Sequence, residues 1–401
     1  MSEHFTLIGI DGGATKVSAW LVKHNPSDDT FSLTGEHAQM SYSKIKGFIP
    51  DFKPLAVPQQ LQERDEKNIK LTEAEIQQGN TFTESCARVI ETLVSKLNDK
   101  PILVGIGMPG LKTEDRRGIC VLANGPRIIN YASCIEERLQ AKNIRFAAPI
   151  AHIGSDADYC GIGEMYARDG SFRDISNAYY LGGGTGTADA LRLRGKLVPF
   201  DQTNHWLAKT WELKNDLGKS LERYASASGL QFIYSEKCGI AVDQLNRQKI
   251  FPPQIANRAV QGEKAAIATF KETSKYLALL LFERISTLYC GTQNLFEFVN
   301  PKRDALDQEH PYRLEVFHRL VIGQRMADLL KTRSGKEVLA KPIVKQLSRL
   351  IDKSTCLLEK TKKHYLHGKQ FREELLVLSP LREAPALGAG IDAYLVYTGG
   401  T

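Results

Sequence analysis

Apolar and polar positions along this chain follow two periods, and their order predicts a layered α/β protein. Residues 7–10 (LIGI) form an apolar run that ends in a polar, glycine-rich stretch, which predicts a buried strand entering a turn. Residues 16–22 read as its hairpin partner, with DGGAT as the turn, and residues 31–42 as a third strand. Residues 43–80 carry Pro50, Pro54, Pro58 and many charges, so they read as an irregular insertion or flap. Helical spacing begins with Phe82, Cys86, Val89, Ile90, Leu93 and Leu97. A strand follows at 102–106, a turn at 107–110, a helix around 135–139, a strand at 149–153 and a helix from Asp156 towards Arg168. Alternating strands and helices predict a largely parallel sheet.

The second half starts the same way. Residues 178–181 form a strand that runs into GGGTGT, and 188–193 with 196–198 form a hairpin behind it. A strand, a glycine turn and a hairpin therefore occur twice. A long amphipathic helix spans 261–289, with strands at 295–299 and 320–322 after it. Residues 336–374 read as helical and charged, 375–378 as a short strand and 384–395 as a helix of small residues.

At 401 residues the chain exceeds one ordinary core, so two domains are expected. A 42% apolar and 25% charged composition is that of a soluble globular protein. The net charge of +7 suits an anionic ligand without requiring nucleic acid. The most basic stretch, 360–372, includes Tyr365, Leu366 and Phe371 and reads as a solvated helix face rather than an RNA patch. The seven cysteines are scattered, with no C-x-C or C-x-x-C pair, which fits reduced thiols and removes any strong zinc signal. The opening MSEHFTL lacks the charged and apolar regions of a signal peptide, and the longest apolar run, 276–282, is too short to span a bilayer. The expected setting is cytoplasmic, with neither membrane nor nucleic-acid partners.

Both glycine turns suit phosphate, because glycine gives backbone N–H groups room to point at an anion. Gly12-Gly13 and Gly182–Gly186 each follow a strand; each is equally a tight hairpin turn when taken alone. No G-x-x-x-x-G-K-[ST] is present, and Thr187 and Asp189 stand where a dinucleotide fingerprint needs glycine. The turns feed hairpins rather than helices, against a Rossmann unit. Asp11 ends a buried strand beside the first turn, where a carboxylate can hold Mg²⁺ through water; Thr15 and Lys16 add a hydroxyl and a cation. The alternative is a turn-capping aspartate and a surface lysine. Asp156 opens a helix just after a strand, a place for a base that accepts a hydroxyl proton. An ordinary N-cap is the competing role, for which Ser155, Asp156 and Asp158 all qualify.

In this order the pieces resemble the ROK family of sugar kinases and repressors, within the actin, hexokinase and Hsp70-like ATPase fold. The resemblance rests on IGIDGGATK (8–16), VGIGMPG (104–110), LANGPRI (122–128), SDADYCGIGE (155–164), YLGGGTGTADALRLRGKL (180–197), LERYASASGL (221–230), FVNP (298–301) with VIG (321–323), and SPLREAPALGAGIDAYL (379–395). The DGGATK turn is also similar to that of BadF-type ATPases and N-acetylglucosamine kinases. The resemblance covers most of the chain outside insertions near 43–80, 231–262, 301–317 and 332–374. It implies two actin-like (ribonuclease H-like) α/β lobes with a cleft between them: 1–156 plus about 385–401, and 157–384.

The resemblance further implies ATP and Mg²⁺ as cofactors. Asp11, Gly12, Gly13, Thr15 and Lys16 would form the first phosphate loop, and Gly183, Gly184, Thr185, Gly186 and Thr187 the second. Asp156 falls at the family's catalytic aspartate, Glu222 at a sugar-hydroxyl contact, Gly323 towards the adenine, and Asn124 in the segment lining the sugar. Ser155 replaces an asparagine that contacts sugar. No E-x-G-H occurs near 205–212, where His205 and Glu212 could substitute at a different spacing. Before Leu221 the family's zinc cysteines are replaced by KNDLGKS, so no structural zinc is expected. No helix-turn-helix precedes residue 7, against a repressor, and a homodimer is the family default. The expectation is an ATP-dependent kinase of a sugar-like hydroxyl; the alternatives are a non-catalytic sugar or nucleotide sensor and a kinase of a non-sugar alcohol.

Overall fold

The computed structural model describes residues 4–97, 100–203, 206–299 and 310–399. The chain divides into two compact units, Met1–Arg168 with Glu383–Thr401, and Asp169–Arg382. The expected boundaries, after 156 and before 385, are displaced, and the helix that opens at Asp156 falls in the first unit.

In that unit, strands β1 (Thr6–Gly12), β2 (Lys16–Asn25), β3 (Thr30–Ser41) and β4 (Ile102–Gly107) are followed by a hairpin of β5 (Leu111–Lys112) and β6 (Ile119–Val121), and then by β7 (Ile153–Gly154). The main sheet has the order β3-β2-β1-β4-β7. β1 and β2 are antiparallel, as are β2 and β3, whereas β4 runs parallel to both β1 and β7. The sheet is thus mixed rather than largely parallel: tight turns between the first three strands force reversal, and only the later strands return through helices. Its helices are α1 (Val57–Asp65), α2 (Glu73–Val94), α3 (Tyr131–Gln140), α4 (Asp156–Tyr166) and the C-terminal helix Ala384–Thr398.

Residues 43–80 are more ordered than their prolines suggested. Pro58 lies in the first turn of α1, where it costs no hydrogen bond. A capping box starts α2 ahead of its apolar stripe: Glu75 N donates to Thr72 Oγ1 and Thr72 N to Glu75 Oε2, both at 3.1 Å. The strand expected at 149–153 narrows to Ile153–Gly154. Ile8, Ile10, Val104, Ile106 and Ile153 of the sheet are buried with Phe82, Val89 and Ile90 of α2. Truncating any of these large aliphatic side chains to alanine would cost about 2–5 kcal/mol. The C-terminal helix lies so close to the sheet that a Cβ at Gly9 or Gly105 would stand 1.8 Å from the carbonyl oxygen of Ala386 or Ala389. That close approach explains the small residues on both elements.

In the second unit, β8 (Ala178–Gly183), β9 (Thr187–Leu193) and β10 (Lys196–Leu197) are followed by β11 (Leu213–Lys214) and β12 (Glu297–Phe298), then by β13 (Arg319–Gly323), β14 (Leu366–His367), β15 (Gln370–Phe371) and β16 (Leu376–Leu378). The main sheet has the order β10-β9-β8-β13-β16, with its first two pairs antiparallel and its last two parallel. The strand expected at 295–299 keeps only Glu297–Phe298 and pairs with β11 in a separate two-stranded sheet. The helix Lys264–Cys290 has buried residues around most of its circumference, including Leu277, Leu281 and Leu288, and forms the centre of this core. The stretch 360–372 contains the end of the helix Glu359–Tyr365 and the β14–β15 hairpin. Its Tyr365 and Phe371 are buried, so its aromatic rings face the core and are not presented with the basic side chains. No described helix is long and apolar enough to cross a membrane.

Candidate active site

β1 places Asp11 at the carboxyl end of a parallel pair, in register with Gly107 of β4 and Ser18 of β2. The following turn is closed by a hydrogen bond from Gly13 N to Lys16 O at 2.9 Å. It is braced by Tyr42, whose hydroxyl donates to Gly13 O at 3.0 Å and whose N–H donates to Thr15 O at 3.1 Å. Ala14, Thr15 and Lys16 are exposed at the tip. A Cβ at Gly12 would collide with Met108 Sδ at 1.8 Å, so this glycine has a packing role whatever it binds. Lys16 Nζ donates to Gln39 Oε1 of β3 at 2.6 Å; the cation expected for phosphate is tethered to the neighbouring strand.

Asp11 lies within electrostatic reach of two other carboxylates of this unit. Burial, then the charges of Asp156 and Glu383, push the Asp11 carboxyl up from 3.8 to about 7, with Lys16 opposing the rise. Asp156 is the first residue of α4 and half-buried; its Oδ1 accepts from Ala157 N at 3.0 Å. Ser155 takes the N-cap position but makes no side-chain capping bond, so both remain available to a ligand. Glu383 precedes the C-terminal helix. The sequence reading passed over it, and its only sequence signal was an acid directly before a small-residue helix. Asn124 lies on an exposed turn between the buried Leu122 and Arg127.

The second unit repeats the turn with different chemistry. Gly183 ends β8, and a Cβ there would stand 2.2 Å from Met326 Cγ and 2.4 Å from Ala225 O. Gly184 N donates to Gly186 O at 2.9 Å, closing the turn, and Ala227 N donates to Gly184 O at 3.1 Å. Glu222, expected at a sugar hydroxyl, accepts from Thr187 N at 3.0 Å and from Thr187 Oγ1 at 3.3 Å. A Cβ at Gly186 would lie 2.7 Å from the same carboxylate oxygen. The structure therefore brings Glu222 to the second turn itself. Arg325, which sequence reasoning missed, donates through Nη2 to Thr185 Oγ1 at 3.4 Å and supplies a cation at that tip. Gly323 ends β13, where a Cβ would stand 2.2 Å from the Tyr180 hydroxyl. The next residue, Gln324, has a φ of 56°, a left-handed turn that starts a helix abruptly at the strand's end.

His205 lies outside the described residues. Glu212 turns its carboxylate onto its own loop, accepting from Lys209 N at 2.7 Å, and burial raises its pKa. Among the described residues no group of three or more His, Cys, Asp or Glu side chains is arranged to hold a metal ion. Asp11 nevertheless fits a cation held through water: it is an acid whose ionisation its acidic neighbours oppose and a divalent charge would favour.

No protein-family model matches this sequence, and no curated protein matches it significantly. Solved structures do. A ROK family glucokinase from Streptomyces griseus, in complex with glucose and AMPPNP, superposes with a TM-score of 0.58 at 14% identity, over 97% of this chain and 99% of its own. Glucokinase from Parabacteroides distasonis gives a TM-score of 0.55 at 14% identity, over 98% of each chain. A ROK family transcriptional regulator, homologous to the E. coli Mlc protein, gives 0.53 at 12% identity, over 99% of this chain and 80% of its own. At these identities the likeness is one of fold. This chain has the actin-like α/β fold of the ROK sugar kinases, which the ROK family transcriptional regulator also shares.

Proposed function

We propose that this protein is an ATP-dependent kinase that phosphorylates a hydroxyl of a sugar or sugar derivative, and a divergent member of the ROK family. The supporting observation is the grouping of Asp11, Asp156 and Glu383 beside a glycine turn at the carboxyl ends of parallel strands. A sheet that served only as scaffold would gain nothing from a carboxyl whose ionisation two further carboxylates oppose.

In this reading the glycine turns serve the nucleotide phosphates. Asp156 sits in the first turn of α4 and accepts the proton of the acceptor hydroxyl as the phosphoryl group moves in line. Such a base contributes about 10²–10⁴-fold. Asp11 is the residue that would hold Mg²⁺, which would supply charge neutralisation for the phosphates. Arg325 and Lys16 add positive charge at the two tips, Gly323 lies on the adenine side, and Asn124, Ser155 and Glu222 contact the acceptor.

A non-catalytic sensor of the same fold is the second reading. Glu222 favours it, because its carboxylate occupies the Thr187 amide that a phosphate would use. Ser155 in place of asparagine suits either the sensor or a kinase of a non-sugar alcohol. ADP release with Mg·ATP across hexoses, amino and N-acetyl sugars and polyols tests the proposal. Turnover with a sugar is expected. Turnover with a polyol alone moves the acceptor to a non-sugar alcohol; silence throughout, with no ATP binding, overturns the kinase in favour of the sensor.

A further inference from the structure

Residues 43–80 interrupt the ROK-like pattern, yet they are tied to the turn that carries Asn124. Gln60 of α1 is wholly buried and uses its amide as a backbone would. Leu122 N donates to Gln60 Oε1 at 2.8 Å, and Gln60 Nε2 donates to Leu122 O at 3.1 Å and to Leu55 O at 2.6 Å. Arg127 is buried as well. Its Nε and Nη2 form a fork on Glu75 at 2.8 Å each; Nη1 reaches Glu63 Oε2 at 2.6 Å and Nη2 reaches Lys70 O at 2.9 Å. Gln60, Glu63, Lys70 and Glu75 all belong to the insert. The two anchored residues, Leu122 and Arg127, bracket the short turn at whose tip Asn124 is exposed.

A turn fixed at both ends has few conformations left to lose when it binds a ligand, and its geometry is set by what anchors it. We propose that the insert sets acceptor affinity and selectivity, with Gln60 and Glu63 as positioning residues that act through Asn124. The inference rests on the kinase reading, in which Asn124 contacts the acceptor.

A double-mutant cycle tests it, using steady-state kinetics of the full chain with thermal melting alongside. Gln60→Leu keeps the volume and removes both bonds to Leu122. It is expected to raise the acceptor KM about tenfold while the KM for ATP moves less than twofold. Adding Gln60→Leu to Asn124→Ala should cost nothing beyond Asn124→Ala alone. Glu63→Gln leaves the Glu75 fork on Arg127 intact, and should raise the acceptor KM about threefold if Gln60→Leu does not fold. An unchanged acceptor KM, parallel rises for acceptor and ATP, or additive effects in the cycle would overturn the inference while the kinase reading stands. A wild-type protein that turns over no acceptor removes the kinase reading and this inference with it.

Discussion

Asp11 and Gly182 occupy corresponding places in two sheets of one topology. Each sits one residue before the last pair of its hairpin, Gly12 with Val17 in one unit and Gly183 with Thr187 in the other. Each also faces a glycine of the parallel neighbour strand, Gly107 or Gly323. At that position one strand carries a carboxylate near other carboxylates, whereas the other carries a glycine. The cause is local: a Cβ at Gly182 would stand 2.9 Å from the Tyr180 ring and 3.2 Å from Gln324 Cδ, whereas Asp11 has a charged neighbourhood. The same backbone device thus serves two ends. In the first unit it carries acid chemistry; in the second it packs glycines closely against Met326, Gln324 and Glu222, with Glu222 and Arg325 as the nearby charges.

The comparison can be broken from either side. Asp11→Gly makes the first turn resemble the second, and it should lower kcat by about 10²–10³-fold, as loss of one electrostatic stabiliser does. Kinetics with saturating Mg·ATP and acceptor measure this. The reverse change, Gly182→Asp, forces a side chain against Tyr180 and Gln324. Overpacking of that kind costs about 1–3 kcal/mol, so the melting temperature should fall by several degrees. Glu222→Gln keeps an oxygen for the Thr187 amide but removes the charge, and should raise the acceptor KM about tenfold, read from initial rates.

The smallest effect is a pH dependence of stability. The folded chain holds the Asp11 proton more tightly than the unfolded chain, with the pKa raised from 3.8 to about 7. Its protonated form therefore favours folding fully below about pH 4, and that contribution is lost as pH rises through 7. Asp11→Asn removes this slope, so melting curves of mutant and wild type should diverge between about pH 4 and pH 7 and stay apart above it, with the mutant the more stable there. Parallel curves would place Asp11 in an ordinary solvated setting.

Much of this frame was legible in the sequence, because both hairpins are written locally: an apolar run, a glycine turn, then alternation. Strands β1, β8 and β13 and the helix Lys264–Cys290 emerged from period alone. What escaped depended on distant partners. Helix α1 lay hidden among prolines because its order comes from Gln60 and from Glu63 meeting Leu122 and Arg127. Glu383 gained meaning only when the C-terminal helix returned to the first unit and set it near Asp11. Glu222 lay in a recognisable segment, yet its bond to Thr187 depends on a loop that no spacing rule predicts.

The central claim is that Asp156 is the base of a phosphoryl transfer, and Asp156→Asn measured beside the wild type tests it most directly. ATP affinity and ADP release should be followed in the same preparations, with the acceptor that gives turnover. ATP affinity is expected within a few-fold of wild type and turnover lower by about 10²–10⁴-fold. Full turnover in Asp156→Asn would contradict it.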